Sequence, residues 1–204
     1  MQAIAQAILT PQRFPYSTLE LGPRDFALKG EQYHRSDFHV LNGRGLRLKG
    51  SLFRSARSRP LCVVYCHGNC GNRLDAMEVL EAVLPLQVSF CAFDFSGAGH
   101  SEGRYVSFGY YEQEDLTSIL SYLRSQGLPE AILWGRSMGA VAALLYTCSH
   151  EGIRAVVADS PFASLKELLR DVINSYVPLP SLVTDFLIAR LQTSILSLAD
   201  FDLE

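Results

Sequence analysis

The stretch Ala131-Ile132-Leu133-Trp134-Gly135-Arg136-Ser137-Met138-Gly139, running on into Ala140-Val141-Ala142-Ala143-Leu144-Leu145-Tyr146, limits the folds open to this chain more than any other. It reads as a buried strand, an abrupt turn and a buried helix. G-x-S-x-G lies at the turn, with Ser137 at its apex. In that context the motif reads as a nucleophile elbow. A strand that turns directly into a helix strains its apex residue, at about 1–3 kcal/mol. The positions two before and two after the apex then have no room for side chains, and Gly135 and Gly139 stand there.

The rest of the chain supplies the setting. Leu61-Cys62-Val63-Val64-Tyr65-Cys66 is apolar without alternation, as strands covered on both faces of a parallel sheet are. It ends in His67-Gly68-Asn69-Cys70-Gly71. A helix follows, with Asn72 as N-cap and Leu74, Met77, Leu80 and Leu84 on one face. Residues 88–95 form a second buried strand, and 109–126 a helix striped by Leu116, Ile119, Leu120 and Leu123. Its early Glu112, Glu114 and Asp115 suit the positive end of the helix dipole. The segment 153–158 is a further strand. Strands alternating with helices of this length argue for a parallel α/β sheet.

Ahead of this core, 37–40 and 46–49 alternate apolar with polar around Asn42-Gly43-Arg44-Gly45, which predicts an antiparallel hairpin. After Asp159-Ser160-Pro161 the rhythm changes. Ser164-Leu165-Lys166-Glu167 is a capping box opening one helix, which Pro178 and Pro180 break. A second helix starts near Ser181, with Val183, Leu187, Leu191 and Ile195 at a spacing of four. The two helices, with no strand between them, are expected to form a lid-like segment. The expected organisation is a lead-in over 1–36 packing on the domain, an α/β core over 37–162 and a helical segment over 163–204.

A net charge of −3 with scattered basic residues argues against a nucleic-acid partner. No apolar run is expected to reach the roughly 20 residues that span a bilayer, and the apolar start at 1–9 lacks the basic flank of a signal peptide. Five cysteines, mostly inside apolar runs, suit reduced thiols and a cytoplasmic location. Cys66, His67 and Cys70 have no second ligand pair, so no metal and no cofactor is expected. Gly97-Ala98-Gly99 departs from dinucleotide-binding spacing.

Four stretches together carry a resemblance. They are His67-Gly68-Asn69, Asp94-x-Ser96-Gly97-x-Gly99-x-Ser101-x-Gly103, Gly135-Arg136-Ser137-Met138-Gly139 and Asp159-Ser160-Pro161-Phe162. In these the chain resembles an α/β-hydrolase of the serine aminopeptidase-like and prolyl-oligopeptidase-like group. The resemblance implies a mostly parallel sheet with the N-terminal hairpin, Ser137 as nucleophile, and an oxyanion hole from the backbone N–H groups of Met138 and Asn69. It also implies an acid and a histidine on two later strands. The chain ends at Glu204 before either, so the last two strands are expected to be missing. Asp159 and His100 are the local substitutes to consider; His67 is expected to pin its loop.

Two functions are open on these grounds. One is a serine hydrolase of ester, thioester or peptide bonds, acting through an acyl-serine on a small acyl or peptide substrate. The other is a catalytically weak hydrolase-like binding module, or a fragment of a longer hydrolase. The strand at 153–158 lacks protective lysines or proline, and self-association through its open edge is expected.

Overall fold

A computed structural model of the chain describes residues 1–176 and 179–199. Pro178, expected to end a helix, lies outside the described residues. The fold is built on one mixed sheet of seven strands: β1 (Asp25–Leu28), β2 (Glu31–Leu41), β3 (Arg47–Arg54), β4 (Leu61–Cys66), β5 (Ser89–Asp94), β6 (Glu130–Arg136) and β7 (Ile153–Asp159). The helices are α1 (Gln2–Leu9), α2 (Met77–Val83), α3 (Glu112–Ser125), α4 (Met138–Ser149), α5 (Leu165–Tyr176) and α6 (Ser181–Ala199). The spatial order is β1-β2-β3-β5-β4-β6-β7. The first three strands are antiparallel, and β5, β4, β6 and β7 run parallel.

Alternation along the central strands feeds two cores. Cys62, Val64 and Cys66 of β4 join Cys91, Phe93 and Leu133 on one face, under Leu116 and Ile119 of α3 and Ala142 and Tyr146 of α4. Val63, Tyr65, Phe90 and Ala92 face the other way, onto Leu80 and Val83 of α2. The chain leaves β4 toward β5 and later returns past it to β6. The order therefore reverses between β4 and β6, and in open parallel sheets ligands bind outside the carboxyl ends of the strands at such a reversal. The residues just beyond those two strand ends are His67-Gly68 and Ser137.

The hairpin at Asn42–Gly45 forms, but the antiparallel region is larger than the pattern predicts. β2 pairs back to β1 through the two-residue turn Lys29-Gly30, with φ of 49° and 82°. Positive φ at both central residues defines the hairpin turn that suits strand twist. At the other side β7 is the edge strand, and its residues are largely exposed, Val157 at 42%. Among the described residues no strand lies beyond it.

The chain divides into two compact units, residues 12–161 and residues 1–11 with 162 onward. In the second unit α6 packs on both α1 and α5. The buried positions of α6 are Thr184, Ile188, Leu191 and Ile195, while Val183 is 44% exposed. Leu191 and Ile195 are buried as the spacing predicts, and the N-terminal part of the predicted stripe is corrected. A series at strict spacing of four turns by about 40° per step on a helix of 3.6 residues per turn, so Val183 and Ile195 sit roughly 120° apart. At 19 residues and mean hydropathy 1.3, α6 is also long and apolar enough, by length and composition only, to cross a bilayer, although Asp185 and Arg190 interrupt its apolar sequence.

Candidate functional site

Ser137 takes φ 51° and ψ −117°, a conformation that side-chain-bearing residues seldom adopt. Three backbone bonds fix it there. Its own N–H donates to the Asp159 carbonyl at 2.8 Å, and its carbonyl accepts from Ala140 and Val141 at 2.9 and 3.1 Å. The flanking glycines are needed for space. A Cβ on Gly135 would lie 2.5 Å from the Ala140 backbone, and one on Gly139 would collide with the Cys66 carbonyl oxygen and lie 2.6 Å from that of His67. Met138 heads α4 and is fully buried. The first N–H groups of a helix have no acceptor within it, and the dipole there favours negative charge.

The loop after β4 closes on this turn. A Cβ built on Gly68 would be 3.7 Å from Cβ of Ser137. Gly71 N–H donates to the Gly68 carbonyl at 3.0 Å, with Cys70 at φ 63° inside the turn and Asn69 exposed on it. The loop is tied at both ends. At the far end Asn72 caps the following helical turn by accepting from Leu74 N–H, and Arg73 N–H donates to Asp94 Oδ1 at 2.8 Å. At the near end His67 is completely buried. Its Nε2 accepts from Phe95 N–H at 3.0 Å, so its Nδ1–H donates to the Gly68 carbonyl at 2.8 Å.

Asp94 is the hub of the neighbouring loop. Fully buried, it accepts from Arg73 N–H, from the Tyr16 hydroxyl at 2.7 Å and from His100 N–H at 2.9 Å, while its own carbonyl accepts from Ser101 Oγ. Burial, and then Asp94, push the Tyr16 phenol well above its ordinary pKa, which keeps it a donor.

A family model described as the alpha/beta hydrolase fold matches residues 62–193, a span that contains both loops and the Ser137 turn. The chain belongs to the α/β-hydrolase family. The uncharacterized protein YqkD of Bacillus subtilis (strain 168) is 31% identical over 155 residues, which are 74% of this chain and 50% of YqkD. The uncharacterized protein YfhR of Escherichia coli (strain K12) is 28% identical over 136 residues, 63% of this chain and 48% of YfhR. The chain thus spans about half the length of these curated relatives. Among solved structures, a Pyrococcus furiosus esterase shares the fold with TM-score 0.70 and 22% identity, over 92% of this chain and 73% of its own. The α/β hydrolase GrgF from Penicillium sp. gives TM-score 0.59 and 20% identity, over 70% of this chain and 52% of its own.

Within this α/β hydrolase the structure brings Ser137, Met138 and the Asn69 loop together at the β4 and β6 strand ends. It brings none of the five histidines into a pair with Ser137. His34 bonds Asp25, and His39 is exposed on β2. His67 is engaged as above. His100 stacks on Tyr16 at 4.1 Å and bonds its carbonyl, and His150 stacks on Tyr146 at 4.2 Å. Asp159 is exposed and accepts from Ser160 Oγ at 2.8 Å. Among the described residues no three His, Cys, Asp or Glu side chains cluster as metal ligands would. Tyr16 and Arg73 carry no sequence motif; only the fold reveals their place around Asp94.

His67 should make the fold acid-sensitive, in a definite direction. Both of its bonds require a neutral ring with the proton on Nδ1. Burial lowers its pKa below the ordinary 6.5, opposed by the bond to Gly68 and by Asp94. The unfolded chain therefore takes up this proton more readily than the folded one. The stability His67 contributes is fully present above about pH 6.5 and is lost as pH falls through the folded value. Melting temperatures taken in steps below pH 6.5 should fall more steeply for the wild type than for His67→Gln. Parallel profiles would show that the ring is not held neutral.

Proposed function

We propose that this chain carries the nucleophile and the oxyanion hole of a serine hydrolase, of the serine aminopeptidase-like and prolyl-oligopeptidase-like group. The observation that carries the reading is Ser137 at φ 51°, wedged between Gly135 and Gly139 at a strand-to-helix turn. A hydroxyl so placed stands clear of the sheet, and a strained backbone is kept only where its surroundings over-determine it. The substrates are ester, thioester or peptide bonds of a small acyl or peptide compound. The esterase among the structural neighbours supports the first of these.

In the proposed reaction Ser137 Oγ bonds to the carbonyl carbon of the substrate, and the carbonyl π electrons move onto its oxygen. Met138 N–H and Asn69 N–H receive that oxyanion, each such donor contributing about 3–4 kcal/mol to lowering the barrier. Collapse re-forms the carbonyl, breaks the bond to the alcohol, thiol or amine, and leaves acyl-Ser137. Water then cleaves the acyl-enzyme. The serine proton must pass to a base and on to the leaving group. The family resemblance assigns that role to a histidine oriented by an acid on later strands. None of the five histidines of this chain pairs with Ser137, which favours the second reading for the chain by itself: it binds acyl compounds but barely turns over. Its hydrolytic rate should then stay near the residual 10³–10⁴-fold over water, roughly what an oxyanion hole and binding alone supply.

A fluorophosphonate probe tests the reading. The wild-type chain should label at one site, Ser137→Ala should lose the adduct, and peptide mapping should place it on Ser137. Equal labelling of both proteins, or none of the folded wild type, would sink it.

A further inference from the structure

We propose that Tyr16, in the stretch ahead of the sheet, is a positioning residue for the Asn69 loop, and through it for the oxyanion donors. The inference rests on the role given above to Ser137 and Asn69. Its basis is the way one phenol closes a buried ion pair.

Arg73 Nε and Asp94 Oδ2 are 3.8 Å apart, too far to hydrogen-bond directly. The Tyr16 hydroxyl lies between them. It accepts from Arg73 Nε at 2.6 Å and donates to Asp94 Oδ2 at 2.7 Å. None of the three is more than slightly exposed: Tyr16 8%, Arg73 3%, Asp94 0%. The guanidinium also lies over the Tyr16 ring and donates to Ser51 Oγ at 3.1 Å. Without the phenol, two buried charges would face each other across a gap with no group to bridge it, which a low-dielectric interior penalises heavily.

Tyr16 is itself held firmly. Its ring stacks on His100 with 8° between the planes, and its carbonyl accepts from His100 Nε2 at 2.9 Å. Three residues earlier, Arg13 donates to the carbonyls of Gly99, Ser101 and Gly103. The stretch around Tyr16 is thus pinned to the loop after β5, so the phenol is a fixed point and not a mobile plug.

The consequence reaches Ser137 through a short span. Asp94 Oδ1 holds Arg73 N–H, while Asp94 Oδ2 accepts from Tyr16 Oη–H and from His100 N–H, and only the phenol links it to the Arg73 guanidinium. Residues 68–72 hang between that anchor and His67, with Gly68 against Ser137. If the pair closes its 3.8 Å gap or admits water, Arg73 moves and takes the Asn69 loop with it. Oxyanion donors act over a narrow range of distance, and a misplacement of about 1 Å can cost on the order of 100-fold in rate.

The test uses the full chain and two phenol deletions that keep their rings. Tyr16→Phe removes the bridge. Tyr33→Phe removes a different buried phenol bond, to the Leu84 carbonyl at 2.9 Å. Fluorophosphonate inactivation is resolved into kinact and KI, and amide exchange is followed over residues 68–73. In Tyr16→Phe kinact should fall by roughly 10- to 100-fold with KI unchanged, and exchange over 68–73 should quicken. In Tyr33→Phe the melting temperature should drop while kinact and that exchange stay at wild-type values. An unchanged kinact in Tyr16→Phe overturns the proposal. An equal loss in both variants also overturns it, because it would reflect general destabilisation. If the wild type does not react at all, the serine reading fails. The exchange arm then still decides whether Tyr16 orders the loop.

Discussion

Replacing Gly139 with alanine should destabilise the protein by about 4 kcal/mol or more, the exceptional end of single-site effects. The residue lies in the first turn of α4, and helix propensity alone would favour alanine there by about 1 kcal/mol. Space decides the opposite sign. The new methyl would run into the Cys66 carbonyl oxygen, with the His67 carbonyl 2.6 Å away. Both obstacles are backbone, at the end of a central strand, so neither can rotate aside. The helix would have to back away from β4 and carry Met138 and Ser137 with it. Gly127→Ala is the matched control. Gly127 has φ 79° but nothing within 4 Å of a built Cβ, so it should lose only about 1 kcal/mol, through backbone strain. Urea denaturation of the two variants separates the cases. A stabilised Gly139→Ala would mean that the turn is looser than its geometry indicates.

Asp94→Ala should cost about 3–5 kcal/mol, the range for removing one partner of a buried ion pair. The loss goes beyond the charge. Three donors, Arg73 N–H, Tyr16 Oη–H and His100 N–H, lose their acceptor inside the protein. Asp94 also lies at the end of a central strand with zero exposure, so water cannot easily replace it. The double variant Asp94→Ala with Arg73→Met is the informative comparison. Taking away the stranded guanidinium should recover part of the loss, making the double change milder than the sum of the single changes by 1 kcal/mol or more, within the usual range of about 0.5–3 kcal/mol for contacting residues. Strict additivity in denaturant titrations would show that Arg73 and Asp94 do not depend on each other.

What could be read from the sequence follows how locally each feature is encoded. β4 and the middles of β5 and β6 are short apolar runs, and Leu116, Ile119, Leu120 and Leu123 of α3 are all buried as their spacing predicts. The Ser137 turn is equally legible, because the two glycines that make room for it stand within two residues of it. β1 is not legible. Asp25–Leu28 is a half-exposed edge strand, and its turn uses Lys29 where asparagine would have announced it. The lower half of β2 is hidden by polar residues. Arg35 reads as solvent-facing yet is 4% exposed, donating to the Gly22 carbonyl and pairing with Asp37. The network around Asp94 is hidden for a different reason. Tyr16 lies 78 residues from Asp94 and 57 from Arg73, so no window of sequence contains the three together. On α6 the expected stripe holds at Leu191 and Ile195 but not at Val183, because a strict spacing of four accumulates error over three turns.

The pairing of α1 with α6 has a consequence for how the chain is made. About 170 residues separate the two helices, and at ribosomal speeds of roughly 5–20 residues per second α1 waits about 10–35 s for its partner. Its Ala5 and Leu9, fully buried in the finished protein, must be kept from other apolar surfaces for that time. An eight-residue helix is too short to persist in water by itself. The parallel sheet can assemble in the interval, since residues 12–161 have left the ribosome before α6 does. The unit formed by residues 1–11 and 162 onward then closes after residues 12–161, and nascent chains stalled before Ser181 should expose residues 1–11 to proteases and chaperones.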